Sequence, residues 1–398
     1  MVNVRIYSYN LLSSSLASPT YFTHCTKANL LASNRLLKVQ SKLSAECLKH
    51  SVICLQELSR KWEGPMTVFF EAQGYQLVTG MYGHSFNGFM GVGVAYPMDT
   101  FEGVKIDIER LADTCKWPVD PAEHGPGSGS YKRRRGKSIF KLFGKLFDAV
   151  AKVVVSPVIK LGLLPPAEPR KWTEDPWVAA EKRSNIMVSA RLRPKSAPSN
   201  EFLVSCYHMP CAFKTPQIMM LHSALAARRC RELATGTGGV DPEEPTGPNS
   251  GCPVIPHALV GDFNFMPNSP MYNMVTTGEV NESTCVAEWE GKWQEHVPRS
   301  KFGMDWEVGD LGGGMDSAYF AADGKEPDFT NYARIRDDDP FIGTLDYIFL
   351  SKKTKYGTGE WKVSKTDKIV NRDEIDGPLP NDSEPSDHVA IGVDINIV

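Results

Sequence analysis

Residues 257–270 read His-Ala-Leu-Val-Gly-Asp-Phe-Asn-Phe-Met-Pro-Asn-Ser-Pro, and this stretch constrains the rest of the chain most. The apolar run Ala258 to Val260 has the length of a buried strand. It stops at Gly261 and then delivers a carboxylate, Asp262, and a carboxamide, Asn264, two residues apart. On an extended backbone both point to one side. Pro267 blocks simple continuation of the strand. An Asx-rich turn capping a helix is the competing reading of an isolated Gly-Asp-Phe-Asn. Recurrence along the chain weighs against it.

Val2 to Tyr9 alternates in polarity and ends in Asn10. Ser51 to Glu57 is a second strand and also ends on an acid. Gly91 to Tyr96 is a third, Ile186 to Leu192 a fourth, and Phe202 to Tyr207 a fifth that ends in His208. Thr344 to Leu350 carries Asp346, and Pro385 to Ile391 carries Asp387 and His388. Apolar residues at helical spacing mark 28–50 and 215–233, while residues 234–256, rich in Gly, Pro and Glu, read as a surface loop. At least five apolar runs thus sit beside a single Asn, Asp, Glu or His, which predicts strands of a sandwich feeding one cleft. No Gly-x-x-x-x-Gly-Lys phosphate loop and no internal repeat competes with this organisation.

A net charge of −3 over 398 residues gives no overall basic field, so a polyanion would be held by a local patch or by metal ions. Hydrophobic content of 41% and charged content of 23% fit a globular protein with a substantial core. The nine cysteines are scattered, with no Cys-x-x-Cys pair. That points to reduced thiols rather than a zinc site or disulfide scaffold. The N-terminus enters a strand pattern at once, without the profile of a secretory signal, and no stretch of about twenty apolar residues spans a bilayer. An intracellular, cytoplasmic protein is expected.

Tyr9-Asn10-Leu11, Cys54-Leu55-Gln56-Glu57, Gly261-Asp262-Phe263-Asn264 with Pro267 and Ser269, Leu345-Asp346-Tyr347-Ile348, and Ser386-Asp387-His388 occur in that order. As a set they resemble the motifs of the endonuclease/exonuclease/phosphatase superfamily, and within it the deadenylase-like branch (nocturnin, Angel and the catalytic subunits of the cytoplasmic deadenylase complex). Residues 326–332 (Glu-Pro-Asp-Phe-Thr-Asn-Tyr) and Leu379-Pro380-Asn381 resemble secondary segments of that branch. The chain departs from it at Tyr207-His208-Met209-Pro210-Cys211, where the branch has Thr-His-Leu, and residues 98–181 align with nothing in it.

The resemblance implies an α/β fold, a four-layer α-β-β-α sandwich of two mainly antiparallel sheets, and phosphodiester hydrolysis. That chemistry needs a metal, an in-line water and donors on the developing charge. Hard carboxylates suit Mg²⁺, with Mn²⁺ as the other option. Glu57 is the first expected metal ligand, with Asn10 positioning it or sharing the site and Asp387 as a further ligand. Asp346 is implied to hold His388, which contacts the phosphate. Asp262 would orient water or protonate the leaving oxygen, and Asn264 and His208 would donate to phosphate oxygens. Asn87, Asn185 and Asn331 are candidate substrate contacts, although a turn role fits Asn87 and Asn185 equally. Competing readings make Glu57 a surface acid at a strand end, Asp346 a turn closer and His208 a structural histidine. Phe86, Phe89, Phe213, Tyr319 and Tyr332 are the aromatic candidates for base stacking.

Within an expected insertion at 98–181, Ile139, Phe143, Leu146, Val150 and Val153 form a stripe opposite Lys137, Lys141, Lys145 and Lys152. This predicts a basic amphipathic helix near 138–155, with an apolar tail to 164. It would pack on the core, lie on an anionic membrane through residues 138–164, or supply a basic patch for RNA. The expected function is a Mg²⁺-dependent RNA 3′ exonuclease of deadenylase type. The alternatives are a sphingomyelinase-like phospholipid phosphodiesterase, or hydrolysis of 2′,5′-linked or cyclic-phosphate RNA ends or abasic DNA. An inactive binding scaffold is the third option, and the presence of Glu57, Asp262, Asp346, Asp387 and His388 weighs against it.

Overall fold

Alternation along β1 (Val2–Asn10) separates two apolar layers: Val4 and Ile6 enter one core cluster, while Tyr7 and Tyr9 enter another. The computed structural model describes residues 2–115, 117, 176–235, 254–278, 314–353 and 357–398. Six strands form the first sheet, in the order β13 (Trp361–Thr366), β14 (Ile391–Ile397), β1, β2 (Val52–Leu58), β4 (Gly91–Pro97), β3 (Tyr75–Met81). Six more form the second, in the order β5 (Phe101–Arg110), β6 (Ile186–Pro194), β7 (Phe202–His208), β8 (His257–Asp262), β12 (Asp346–Ser351), β9 (Met315–Ser317). A two-stranded ladder joins β10 (Asn331–Ala333) to β11 (Phe341–Gly343). Each large sheet is antiparallel except for one central parallel pair, β1–β2 and β7–β8.

Between the sheets lie small and β-branched side chains from both, among them Val52, Val94, Val188, Val204, Val260, Ile348 and Val393. On the outer face of the first sheet, Tyr9, Ile53 and Leu55 pack against α2 (Ala32–Cys47) and α3 (Arg60–Ala72), which follow the short α1 (Lys27–Leu30). The apolar spacing Val39, Leu43, Cys47 turns one stripe of α2 to the sheet, and burying Val39 and Leu43 there is worth about 1.5–3 kcal/mol each. The second sheet's outer face, with Leu203, Tyr207, Leu259 and Phe349, is covered by α5 (Pro216–Ala234) and α6 (Pro270–Thr277), with α4 (Pro176–Glu181) beside α5. A last short helix, α7 (Ala318–Asp323), follows β9. The expected four layers are therefore present.

The structure also differs from the sequence reading. Sequence patterning places an insertion at 98–181, yet β5 lies inside that span and pairs with β6 from Phe101 to Arg110. Its alternation of charged with apolar residues is that of an edge strand, which hides it from an apolar-run criterion. The amphipathic helix expected near 138–155 and the apolar tail to 164 lie outside the described residues. No helix among the described residues is long and apolar enough to cross a membrane. The expected run Pro385 to Ile391 is a connection rather than a strand: β14 begins only at Ile391.

Candidate active site at the ends of the parallel strands

Both parallel pairs end at the same kind of residue. Asn10 and Gln56 are register partners at the end of β1–β2, with Glu57 next along; His208 and Asp262 are partners at the end of β7–β8. Asp346 opens β12 opposite Asp262. Gly261 is what allows the turn into Asp262. Its φ is +147°, and a Cβ there would lie 1.9 Å from the Tyr207 carbonyl oxygen of the neighbouring strand, so only glycine fits. Glu57 and Asn264 take left-handed backbone, φ +55° and +53°, at a cost of about 1–2 kcal/mol per residue for an L side chain. The β2–β4 register shifts across Glu57, between Leu55 and Leu58, which lets this side chain leave the sheet.

Asp262 is buried and its two oxygens are held separately. Oδ1 accepts the Asn264 backbone N–H at 2.9 Å and Oδ2 accepts the Asn10 side-chain amide at 2.9 Å. Asn10 is fixed in turn because its own Oδ1 accepts Leu12 N–H at 2.9 Å. Two imidazoles face Asp262 Oδ2: His208 Nε2 at 3.5 Å and His388 Nε2 at 3.7 Å. Both separations are too long for good hydrogen bonds, so these nitrogens remain available to a third group. On its far side His388 donates from Nδ1 to Asp346 Oδ2 at 2.7 Å. That oxygen also accepts the Thr330 hydroxyl at 2.6 Å, and Thr330 Oγ1 accepts the backbone N–H groups of Leu345 and Asp346.

Burial opposes a charged His388, but the carboxylates of Asp346 and Asp262 outweigh it and hold the imidazole well above its usual range. Burial pushes the Asp262 carboxyl up, with His388 opposing the rise and Asp346 adding to it. Asp262, Asp346 and His388 can bring one ligand atom each to within 4.8 Å of the others, the spacing of a metal site. In that trio, however, His388 Nδ1 is committed to Asp346. Beside it, the Asp387 carboxyl is pushed up to about 6, first by burial and also by Glu57, with His388 and Arg35 opposing. Glu57 Oε2 accepts Ser13 N–H at 2.8 Å.

Three residues that sequence reasoning missed organise this site. The Tyr82 hydroxyl meets His208 Nδ1 at 2.8 Å. Arg35 is fully buried; its Nε donates to the Pro385 carbonyl at 2.6 Å, and Nη2 donates to the carbonyls of Leu11 and Leu12. It thereby ties the segment after Asn10 to the one before Asp387. Thr330 is the third. A lone Tyr, Arg or Thr carries no spacing signal, and for Thr330 the only hint is its place in the segment Glu326 to Tyr332.

The remaining candidates fall in different places. Asn264 Nδ2 gives one proton to the Met209 carbonyl at 3.0 Å, and Asn185 Nδ2 donates to the His208 carbonyl at 2.8 Å. Asn87 Oδ1 accepts His84 N–H at 2.7 Å within its own turn. Asn331 is buried and forms a backbone bridge with His388. Tyr319, a stacking candidate, is instead buried, its hydroxyl bonded to the carbonyls of Asp367 and Gly392.

The model of the Endonuclease/Exonuclease/phosphatase family matches residues 7–388. The chain belongs to that family. Bovine 2′,5′-phosphodiesterase 12 is 24% identical over 238 residues, 59% of this chain and 31% of its own length. The CCR4-Not complex 3′-5′-exoribonuclease subunit Ccr4 of Emericella nidulans is 24% identical over 407 residues, covering 99% of this chain and 52% of its own. The chain thus matches about a third or less of the first of these relatives. Among solved structures, ANGEL2, described as a 2′,3′-cyclic phosphatase, aligns with a TM-score of 0.64 at 16% identity, over 99% of this chain and 95% of its own. The human Nocturnin catalytic domain aligns at 0.55 and 16%, over 100% and 94%. Ccr4 and Nocturnin are thus among the proteins to which the chain is similar, as its motif order leads one to expect, and the solved neighbours share its sandwich fold.

Proposed function

We propose that the chain is a divalent-metal-dependent phosphodiester hydrolase acting on RNA, a 3′ exonuclease of deadenylase type. The observation that carries this reading is the Asp346–His388 pair facing Asp262, with a second imidazole, His208, at matching distance. The names of the Ccr4 and 2′,5′-phosphodiesterase 12 relatives support the substrate class. Glu57 and Asp387 are the residues that would hold Mg²⁺ or Mn²⁺, because they are hard oxygen ligands and because Asp387 is a buried carboxyl, raised first by that burial and further by the charge of Glu57, which a cation would relieve. Bound there, such an ion would neutralise the phosphate and stabilise charge developing in the transition state.

The protein's own groups do the rest. Asp346 fixes the His388 ring so that Nε2–H points toward the cleft and donates to a phosphate oxygen. The Tyr82 hydroxyl bonds His208 Nδ1 and so turns Nε2 toward the cleft, where it serves as a second donor. Asp262, oriented by Asn10 and Asn264, handles the proton of the attacking water or of the leaving oxygen, and its raised pKa suits that exchange. Removing one such donor costs about 3 kcal/mol of barrier, roughly a hundredfold in rate. The described cysteines are all free thiols, which supports a reducing, cytoplasmic setting.

A substrate panel with Mg²⁺ tests the reading: poly(A), mixed-sequence RNA, 2′,5′-oligoadenylate, RNA with a 2′,3′-cyclic end, abasic DNA and sphingomyelin, with Glu57→Gln as blank. Turnover of the 3′-5′ RNAs is expected. Turnover of sphingomyelin alone would overturn the substrate class.

A further inference from the structure

Five phenylalanines among the described residues remain at least 42% exposed: Phe86, Phe89, Phe213, Phe320 and Phe341. Phe320 lies on α7. The other four stand on or beside connections that leave the site. Phe86 and Phe89 follow Tyr82, Phe213 follows His208, and Phe341 opens β11, which pairs with the β10 segment bridged to His388. Exposed aromatics concentrated in this way are unexpected unless something covers them.

The connection at 84–90 is built to hold its two rings outward. His84 N–H donates to Asn87 Oδ1, Phe89 N–H to the His84 carbonyl at 2.9 Å, and Gly83 N–H to the Met90 carbonyl at 2.9 Å. Gly88, at φ +70°, packs against Ser13 and Ser15, and its carbonyl accepts Arg60 N–H at 3.1 Å. Phe89 itself sits at φ +51°, unusual for a bulky side chain. Ser13 joins this connection to the site: its hydroxyl donates to the Asn87 carbonyl at 2.8 Å, while its N–H donates to Glu57. On the other side Tyr82 joins it to His208, five residues before Phe213. Exposed Lys61 and Arg60, the latter paired with Glu63 at 2.6 Å, lie where α3 begins beneath the loop, so positive charge accompanies the rings although the whole chain is weakly acidic.

Separate aromatic faces with cations beside a phosphodiester site match the chemistry of single-stranded nucleic acid, whose bases stack while its backbone seeks positive charge. We infer that Phe86, Phe89 and Phe213 form a base-stacking platform for single-stranded RNA on the Glu57–His208 side of the cleft, making this chain favour an unpaired polymer over a small phosphodiester. This rests on the hydrolase reading above for its substrate but not for its binding test.

The test compares Phe86→Ala, Phe89→Ala and Phe213→Ala with Phe320→Ala as control. Fluorescence anisotropy with labelled single-stranded RNA is measured in the Glu57→Gln background. The ratio of kcat/KM for that RNA to kcat/KM for a small chromogenic phosphodiester is measured in the active one. Each platform variant should weaken RNA binding about tenfold, the scale of one lost stacked base, and lower the ratio by a similar factor. Phe86→Trp should restore both, and Phe320→Ala should change neither. Equal losses on both substrates, or RNA affinity no different from Phe320→Ala, would overturn the platform. Binding lost to anionic vesicles instead of RNA would overturn it in favour of a membrane surface. If binding falls as expected while no phosphodiester is hydrolysed by the parent, the platform stands and the hydrolase reading fails.

Discussion

Thr330 offers the sharpest test of how the Asp346–His388 pair is held. The side chain is fully buried, so its hydroxyl has no solvent to fall back on. Thr330→Val keeps the shape and deletes only polarity. It removes a 2.6 Å donor to Asp346 Oδ2 and the acceptor for two backbone N–H groups, at 2.9 Å from Leu345 and 3.0 Å from Asp346. A hydrogen bond to a charged group contributes about 1.5–3 kcal/mol, and each buried group left unpaired costs about 1–3 kcal/mol. These share one atom and do not add fully, so roughly 3–4 kcal/mol of stability should be lost. Thr330→Ser keeps Oγ and drops a methyl, a loss of about 1 kcal/mol. Equilibrium urea unfolding followed by circular dichroism reads both. The rate on RNA should fall about 10- to 100-fold in the valine variant, the usual effect of losing an outer hydrogen-bond partner, and recover in the serine variant. A valine variant as stable as the serine variant would refute the reasoning.

Gly261→Ala should lose more than about 3 kcal/mol, seen as a large drop in Tm, because its Cβ would meet the Tyr207 carbonyl; Gly64→Ala in α3, with open space around it, should gain roughly 0.5–1 kcal/mol. Asp387→Asn should abolish the rise in Tm that Mg²⁺ gives the parent, and a retained rise would remove Asp387 from the metal site. Burial pulls both His222 and His257 down to about 4. In His222 the ring is also locked neutral, between the Tyr207 hydroxyl on Nδ1 and the Ala180 carbonyl on Nε2. The unfolded chain takes up these protons below about pH 6.5 while the folded chain refuses them, so stability is full above 6.5 and falls toward pH 4, by up to roughly 3 kcal/mol per histidine. Because the raised carboxyls of Asp262 and Asp387 shift stability the other way over the same range, the readout is the difference: the urea midpoint of His222→Gln should rise relative to that of the parent as pH falls from 7 to 4.5, and a constant difference would contradict the assignment.

The strands legible in the sequence are the central ones. β1, β2, β4, β6, β7, β8 and β12 are buried on both faces and read as apolar runs. Apolar patterning passes over the four sheet edges, β3, β5, β9 and β13, where one side meets water and charges interrupt the pattern. It also misplaces one central strand, β14, whose Asp394 and Asn396 break the apolar run. The site follows the same rule. Glu57, Asp262, Asp346 and His388 were legible because each closes or adjoins a central strand. Tyr82, Arg35 and Thr330 act across the fold on residues far away in sequence, and nothing in their neighbourhood announces it. Of the two asparagines for which a turn role fitted as well as a substrate contact, Asn87 accepts the His84 N–H within its own turn, while Asn185 reaches the His208 carbonyl on β7.

The central parallel pairs have one more consequence. Asn10, Glu57, His208 and Asp262 hang from strand ends whose spacing is set by the roughly 4.8 Å repeat of the sheet ladder. The chemistry is therefore mounted like jaws on a vice, while the connections that rise beside it can be lengthened, shortened or recoloured by mutation. A scaffold of this sort lends itself to changing what is gripped while keeping the bite unchanged.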